Sequence, residues 1–150
     1  MPKLHCTDPV YEYTVEFRIH GVDLDVSAVT DNLGLEPSLI KRLVERRSET
    51  EQWVEAMWAF NGFPEAAGIK NWTSLEEGLN FVLEKLWPVK NKIDIYHDKC
   101  KLILWCGHFQ SSLDGGPSLS PETLQSLGEF GVELYLDNYF SDDTVTEGSD

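Results

Sequence analysis

Residues 11–20, with the sequence YEYTVEFRIH, alternate apolar and polar side chains without a break. The apolar members of this alternation are Tyr11, Tyr13, Val15, Phe17 and Ile19. Successive side chains of an extended chain point to opposite faces, so the pattern predicts a strand with one buried face. A sheet that contains such a strand needs a covering layer on that face, which favours a sandwich of sheet and helices.

Two short helices are predicted to follow this strand. Asp23 or Asp25 is expected to cap the first, and Gly34 stands where a left-handed C-terminal residue belongs. Pro37 prevents a simple continuation of that helix. Residues 38–47, SLIKRLVERR, separate apolar from basic side chains and are predicted to form a second helix with a basic, solvated face.

Two longer helices are predicted further along the chain. Ser74 and Glu77 form a capping box before an amphipathic run, and Pro88 ends or kinks that helix. Ser120 precedes the proline that opens the last helix, and Gly131 closes it.

Three further strands complete the pattern. Residues 53–60 predict a strand covered on both faces, residues 101–109 are the most apolar and predict the central strand, and residues 132–139 form the last strand. The order β-α-α-β-α-β-α-β predicts an α+β sandwich, a four-stranded mixed sheet with helices mainly on one face. Residues 1–140 are expected to form one domain, and residues 141–150 an acidic, frayed tail.

The charge of the chain is strongly negative and unevenly distributed. Its formal net charge is −14, from 26 acidic and 12 basic side chains, and its last basic side chain is Lys101. Such a balance argues against a nucleic acid partner, since phosphate binding requires a basic surface. The surplus of acids either serves solubility or steers the chain toward a basic partner.

The cysteines and the apolar segments predict a compartment. Cys6, Cys100 and Cys106 form an odd set without disulfide spacing, and the first ten residues hold no apolar signal segment. No apolar stretch approaches the roughly 20 residues that span a bilayer. The expected location is therefore the cytoplasm, with no membrane partner.

Candidate catalytic or metal-binding residues are sparse. His97, Cys100, Cys106 and His108 lie in one short stretch but lack the paired spacing of a tetrahedral zinc site. Cys106 and His108 share a strand face, although this spacing does not by itself hold a thiol against a base. Neither a metal nor a cofactor is expected.

Motifs near both ends resemble one known family. These motifs are YEYTVEFRIHGVDLDVSAVTDNLGLEP and WCGHFQSSLDGGPSLSPETLQSLGEFGVELYLDNY. They resemble the bacterial domain-of-unknown-function family numbered 4279, over roughly residues 11–139 and with a departure in residues 38–51. The family has no established catalytic residues, and similar proteins occur among the immunity proteins of polymorphic toxin systems. The resemblance implies a role without catalysis.

The leading hypothesis is an immunity-type inhibitor that binds and neutralises one cognate, basic protein toxin, which could be a nuclease. The predicted partner-binding residues are the C-terminal acids Asp114, Glu133, Asp137, Asp142 and Asp143. One alternative is a cytosolic module that binds a small ligand or has a regulatory role. The other is a metal- or thiol-dependent enzyme that acts around Cys106 and His108.

Overall fold

The computed structural model describes residues 11–42, 55–112 and 115–140. In these ranges five strands form one sheet in the spatial order β2-β3-β1-β4-β5. The strands are β1 (Tyr11–Gly21), β2 (Leu39–Lys41), β3 (Ala56–Phe60), β4 (Lys101–Gln110) and β5 (Glu133–Phe140). Only β4 and β5 are parallel, so the sheet is mixed and the predicted α+β class is confirmed.

The helices pack on one face of this sheet. They are α1 (Val26–Leu33), α2 (Leu75–Leu86), α3 (Lys90–Asp94) and α4 (Pro121–Phe130), with short 3-10 turns at Glu65–Ala67 and Trp87–Val89. The buried face of β1 contributes Val15, Phe17 and Ile19 to a core that also contains Trp58 of β3 and Leu104 of β4. The alternation in residues 11–20 therefore marks the core-facing side correctly.

The helix ends follow the predicted capping chemistry. Asp25 accepts hydrogen bonds from the backbone N–H groups of Ser27 and Ala28, so it is Asp25 that caps α1. Ser74 accepts from the N–H of Glu77, and Ser120 accepts from the N–H of Thr123. Gly34 and Gly131 have φ angles of 68° and 83°, the left-handed geometry that favours glycine at a helix end.

One predicted helix is wrong. Residues Leu39–Lys41 form strand β2, which pairs antiparallel with β3, and residues 43–47 of the same prediction lie outside the described ranges. The strand begins where the backbone N–H of Ser38 donates to the carbonyl of Ala59 at 2.8 Å. Pairing with a distant strand therefore outweighs the local helical pattern.

The assignment of the central strand is also wrong. β4 is an interior strand, but β1 occupies the middle of the sheet. β4 is nevertheless the more apolar strand. Its outward-facing residues include Ile103 and Trp105, which are at least partly buried, whereas the outward-facing side chains of β1 are polar. The predicted end of the domain at residue 140 and the tail 141–150 stay predictions, since that tail lies outside the described ranges.

Two glycines give a matched test of this packing. A Cβ atom on Gly78 of α2 would lie 2.9 Å from Val15 Cγ2 and 2.9 Å from Trp72 Cδ1, whereas one on Gly128 of α4 would meet nothing within 4 Å. We expect Gly78→Ala to lower the free energy of unfolding by about 1–2 kcal/mol, because the clash exceeds the gain in helix propensity. We expect Gly128→Ala to raise it by about 0.5–1 kcal/mol. Urea denaturation measures both, and effects of the same sign would contradict the close approach of α2 to β1.

Candidate functional site

The face of the sheet opposite the helices carries the candidate site. Strand register places alternate residues of each strand there, and we call this surface the open face. Along β1 these residues are polar, and along β4 and β5 aromatic rings alternate with other side chains. The members used below are Thr14, Glu16, Arg18, Leu39, Trp105, Gly107, Phe109, Glu133, Tyr135, Asp137 and Tyr139.

Two of the predicted site residues lie on the open face. Glu133 and Asp137 are on β5, and the same side of that strand carries Tyr135 and Tyr139, which are 49% and 43% exposed. Asp114, Asp142 and Asp143 lie outside the described residues, so the structure tests no grouping with them. Within the described ranges the predicted acids therefore form half of an alternating stripe of acid and tyrosine.

Contacts between neighbours order this stripe. The hydroxyl of Tyr139 donates a hydrogen bond to Asp137 Oδ2, and this bond is the main reason that the pKa of Tyr139 is raised. The ring of Tyr139 stacks on Phe109 of β4, with centroids 4.9 Å apart. Glu133 lies at the other end of β5, where its Oε1 is 3.7 Å from Lys101 Nζ.

A second cluster lies on the same face at the centre of the sheet. Arg18 Nε donates to Glu16 Oε1 at 2.8 Å, and the guanidinium carbon lies 4.2 Å from the centroid of the Trp105 ring. The hydroxyl of Ser38 donates to the other oxygen, Glu16 Oε2, at 3.2 Å. Arg18 is therefore held by the ion pair between its Nε and Glu16 and by the contact of its guanidinium group with the Trp105 ring.

This cluster borders a cavity of about 340 Å³, which we call the sheet-face cavity. Its walls are the open-face side chains of β1, β2 and β4 together with the chain that connects β3 to α2. The side chains used below are Thr14, Glu16, Arg18, Leu39, Asn61, Ile69, Lys70, Asn71, Trp105 and Phe109. The connection folds beside the sheet because its last part returns to β1, where Trp72 and Tyr13 exchange two backbone hydrogen bonds of 2.7 Å.

Sequence reasoning missed this cavity and the Arg18 cluster. The polar positions of residues 11–20 suggested only a solvated strand face, and nothing in the local pattern places residues 61–71 beside it. The available signal was the polar face itself. A strand next to the apolar residues 101–109 lies inside a sheet, where arginine and glutamate need partners.

The cysteine and histidine residues that the structure describes form no comparable site. Cys106 and His108 lie on the helix-facing side of β4, and burial raises the pKa of the Cys106 thiol to about 12. His108 stacks on Tyr13 with centroids 4.8 Å apart, and its Nδ1 lies 2.9 Å from Asn138 Oδ1. In the part of the chain that the structure describes, no three His, Cys, Asp or Glu side chains meet in a group that could hold a metal ion.

A separate cavity of about 460 Å³ lies between the start of α1 and the turn before β4. It is acidic, with Asp23, Asp25 and Asp98 against Lys99. Asp25 already caps α1, so one of these carboxylates has a structural role. The acids of this cavity are therefore not a site by themselves.

The comparisons with known proteins agree with the motifs in the sequence. The family model described as Domain of unknown function (DUF4279) matches residues 11–141. Neither a curated protein nor a solved structure matches the chain. None of the helices in the described ranges is both long and apolar enough to cross a membrane. With the family model covering most of its length, the chain belongs to the DUF4279 family.

Proposed function

We propose that this protein is a binding protein without catalytic activity that neutralises a basic protein toxin. The contact surface is strand β5 with the neighbouring part of the open face. The observation that carries the proposal is the stripe on β5, in which Glu133 and Asp137 alternate with the exposed rings of Tyr135 and Tyr139. Tyrosine rings give rigid apolar contact area, and the carboxylates between them select a basic partner.

The position of β5 in the sheet supports a protein partner. Among the described strands β5 pairs with β4 alone, so its other side is an edge. Leu136 and Phe140, on the other face of this strand, are also exposed. An edge strand with exposed apolar side chains is suited to adding a strand from another chain, with side chains on alternate positions setting specificity.

The charge of the whole chain supports a basic partner over a second copy of this protein. Two copies that each carry a net charge of −14 repel each other. A basic protein is attracted instead, and such steering raises association rates by about 10–10³-fold. A toxin whose active cleft binds a polyanion is basic at that cleft, so an acidic stripe could cover it.

The experiment compares two double variants that change the net charge equally. Glu133→Lys with Asp137→Lys reverses the acids of the stripe, and Glu84→Lys with Glu129→Lys reverses two exposed acids on the helices. The proposal implies that the cognate toxin is encoded beside the gene for this protein, and the purified product of such a neighbouring toxin gene is the ligand. We expect the stripe variant to raise the dissociation constant by at least about tenfold at low salt, and the helix variant to raise it by less than about threefold.

Two readouts decide the proposal. Calorimetric titration gives the dissociation constants, and co-expression with the toxin gives the rescue of growth. Equal weakening by both variants would assign binding to overall charge rather than to β5. A wild-type protein that forms no complex on gel filtration and gives no rescue would remove the toxin proposal.

A second candidate function is the binding of a small ligand. The observation that favours it is the sheet-face cavity, whose volume lies within the range of about 300–1,000 Å³ that is usual for ligand pockets. Its chemistry differs from that of the β5 stripe and is argued separately below.

A further inference from the structure

We propose that the sheet-face cavity binds a small anion carried on a planar ring, such as an aromatic carboxylate or phosphate. In this assignment Arg18 binds the anionic group, and Trp105 with Phe109 contacts the ring. The site adjoins the β5 stripe through the stacking of Phe109 on Tyr139, but its ligand does not depend on a toxin partner. The geometry that carries the inference is an arginine fixed over an aromatic ring at the wall of a cavity.

Arg18 is already oriented for binding. Its Nε is bound to Glu16, and its plane rests against Trp105. A guanidinium group has five N–H donors, and only the Nε donor is bound within the described ranges. The remaining four form the flat fork that matches two oxygens of a carboxylate or phosphate. Little side-chain entropy remains to be lost when an anion binds.

Glu16 does not compete strongly with a ligand anion for the remaining donors of Arg18. Both of its oxygens accept bonds inside the protein, one from Arg18 and one from Ser38. Lys70 also lines the cavity, and its Nζ lies 5.2 Å from the centroid of the neighbouring Trp72 ring. Two cations against one paired carboxylate make this wall locally positive in a chain whose net charge is −14.

The remaining walls suit a ring with polar substituents. Leu39, Trp105 and Phe109 give apolar surface, and Ile69 stands 76% exposed at the mouth, where a ligand would cover it. Asn61 is buried, and its Oδ1 accepts a hydrogen bond of 2.8 Å from the backbone N–H of Phe63. Its amide nitrogen and that of Asn71 are donors suited to an anion.

Thr14 is a further sign of a binding site. It is only 7% exposed, and its Oγ1 is one of two buried side-chain atoms without a hydrogen-bond partner among the described residues. A Cβ on Gly107 would lie 2.6 Å from this oxygen, 2.9 Å from Phe109 and 3.2 Å from Trp105. Only glycine at position 107 leaves room for the hydroxyl and both rings to pack together beside the cavity, and a buried hydroxyl without a partner costs stability.

Two further acids of the open face lie near the cavity, Glu12 on β1 and Asp137 on β5. Glu12 is two residues from Thr14, and its side chain is exposed to solvent, which screens its charge. Asp137 lies across β4 from Thr14, two strand spacings or about 10 Å away. Its carboxylate is bound by the hydroxyl of Tyr139. Charges at that distance are largely screened at physiological ionic strength, where the Debye length is about 8 Å.

The test uses three probe anions and their neutral counterparts. Benzoate, indole-3-acetate and phenyl phosphate are compared with benzamide, indole-3-acetamide and phenol, at millimolar concentrations and with the full-length protein. Nuclear magnetic resonance follows the indole N–H of Trp105, which is assigned by Trp105→Phe. We expect at least one anion to shift this signal with a saturable dissociation constant, and its neutral counterpart to bind at least about tenfold more weakly.

Variants show whether Arg18 is responsible. We expect Arg18→Gln to raise the dissociation constant of the anion by at least about tenfold, and Arg18→Lys to raise it by an intermediate factor. Lys92→Gln removes an exposed charge on α3 and should leave this dissociation constant unchanged. The far-ultraviolet circular dichroism of each variant confirms that it is folded. The proposal is overturned if no anion shifts the Trp105 signal, if anions and neutral counterparts bind alike, or if Arg18→Gln binds as Lys92→Gln does.

Discussion

Trp58→Ala is expected to lower the free energy of unfolding by about 3–5 kcal/mol, which is a large part of the stability of a domain of this size. Trp58 is 0% exposed and is the largest of the fully buried side chains. Its ring lies beside Phe60, with centroids 6.1 Å apart, and its Nε1–H donates to Thr30 Oγ1 at 2.9 Å. Removal of the ring leaves a cavity where α1 packs on β3 and leaves Thr30 without its donor.

Two other variants separate the two contributions. Thr30→Val removes the acceptor but keeps the volume, and we expect it to cost about 1–3 kcal/mol. Trp87→Ala removes an indole ring that is more than one-third exposed, and we expect a smaller cost than for Trp58. Denaturant unfolding followed by circular dichroism gives all three values. A Trp58→Ala protein as stable as Trp87→Ala would mean that Trp58 does not hold α1 on the sheet.

Trp58 also illustrates what the sequence predicts well. Residues 53–60 alternate imperfectly, with large side chains at both even and odd positions, and this pattern indicated a strand covered on both faces. All five residues of β3 are buried, which confirms the prediction for Ala56–Phe60, while residues 53 and 54 lie outside the described ranges. The signal is reliable because a strand with neighbours on both sides and apolar side chains on both faces has no solvated register.

Strand β2 shows where local reasoning fails. In residues 38–47 the apolar pairs Leu39 with Ile40 and Leu43 with Val44 fit a helix as well as a strand. The outcome at Leu39–Lys41 depends on β3, whose Ala59 and Trp58 offer backbone partners nearly twenty residues later in the chain. No window of the sequence contains both partners, so periodicity alone could not predict the pairing.

The candidate sites differ in the same way. The acids Glu133 and Asp137 could be found from the sequence, since they stand out by charge after Lys101 and alternate with tyrosines on a predicted strand. The sheet-face cavity could not, because Arg18, Asn61 and Trp105 come from three separate segments. Their meeting requires the return of the chain at Trp72 to β1, a tertiary contact without a local signal.

Cys106 is expected to be almost inert toward a thiol reagent in the native protein. Burial raises its pKa to about 12, so at neutral pH its thiolate fraction is about a thousandfold smaller than that of an ordinary exposed thiol. Cys100 is half-buried, and its pKa is also raised, mainly by burial and to a lesser extent by the nearby Glu55 carboxylate. Because Cys100 is reachable from solvent, it should react at least about a hundredfold faster.

The comparison uses two variants that both lack Cys6. One keeps Cys106 as its sole cysteine, and the other keeps Cys100 as its sole cysteine. Each reacts with an excess of an aromatic disulfide reagent at pH 8, before and after addition of guanidinium chloride. The difference should vanish on unfolding, since it comes from burial rather than from the sequence around each thiol. Equal native rates would return Cys106 to the list of nucleophile candidates. A slow native rate leaves Cys106 as an apolar member of the core, and Cys106→Ala should then leave partner binding unchanged.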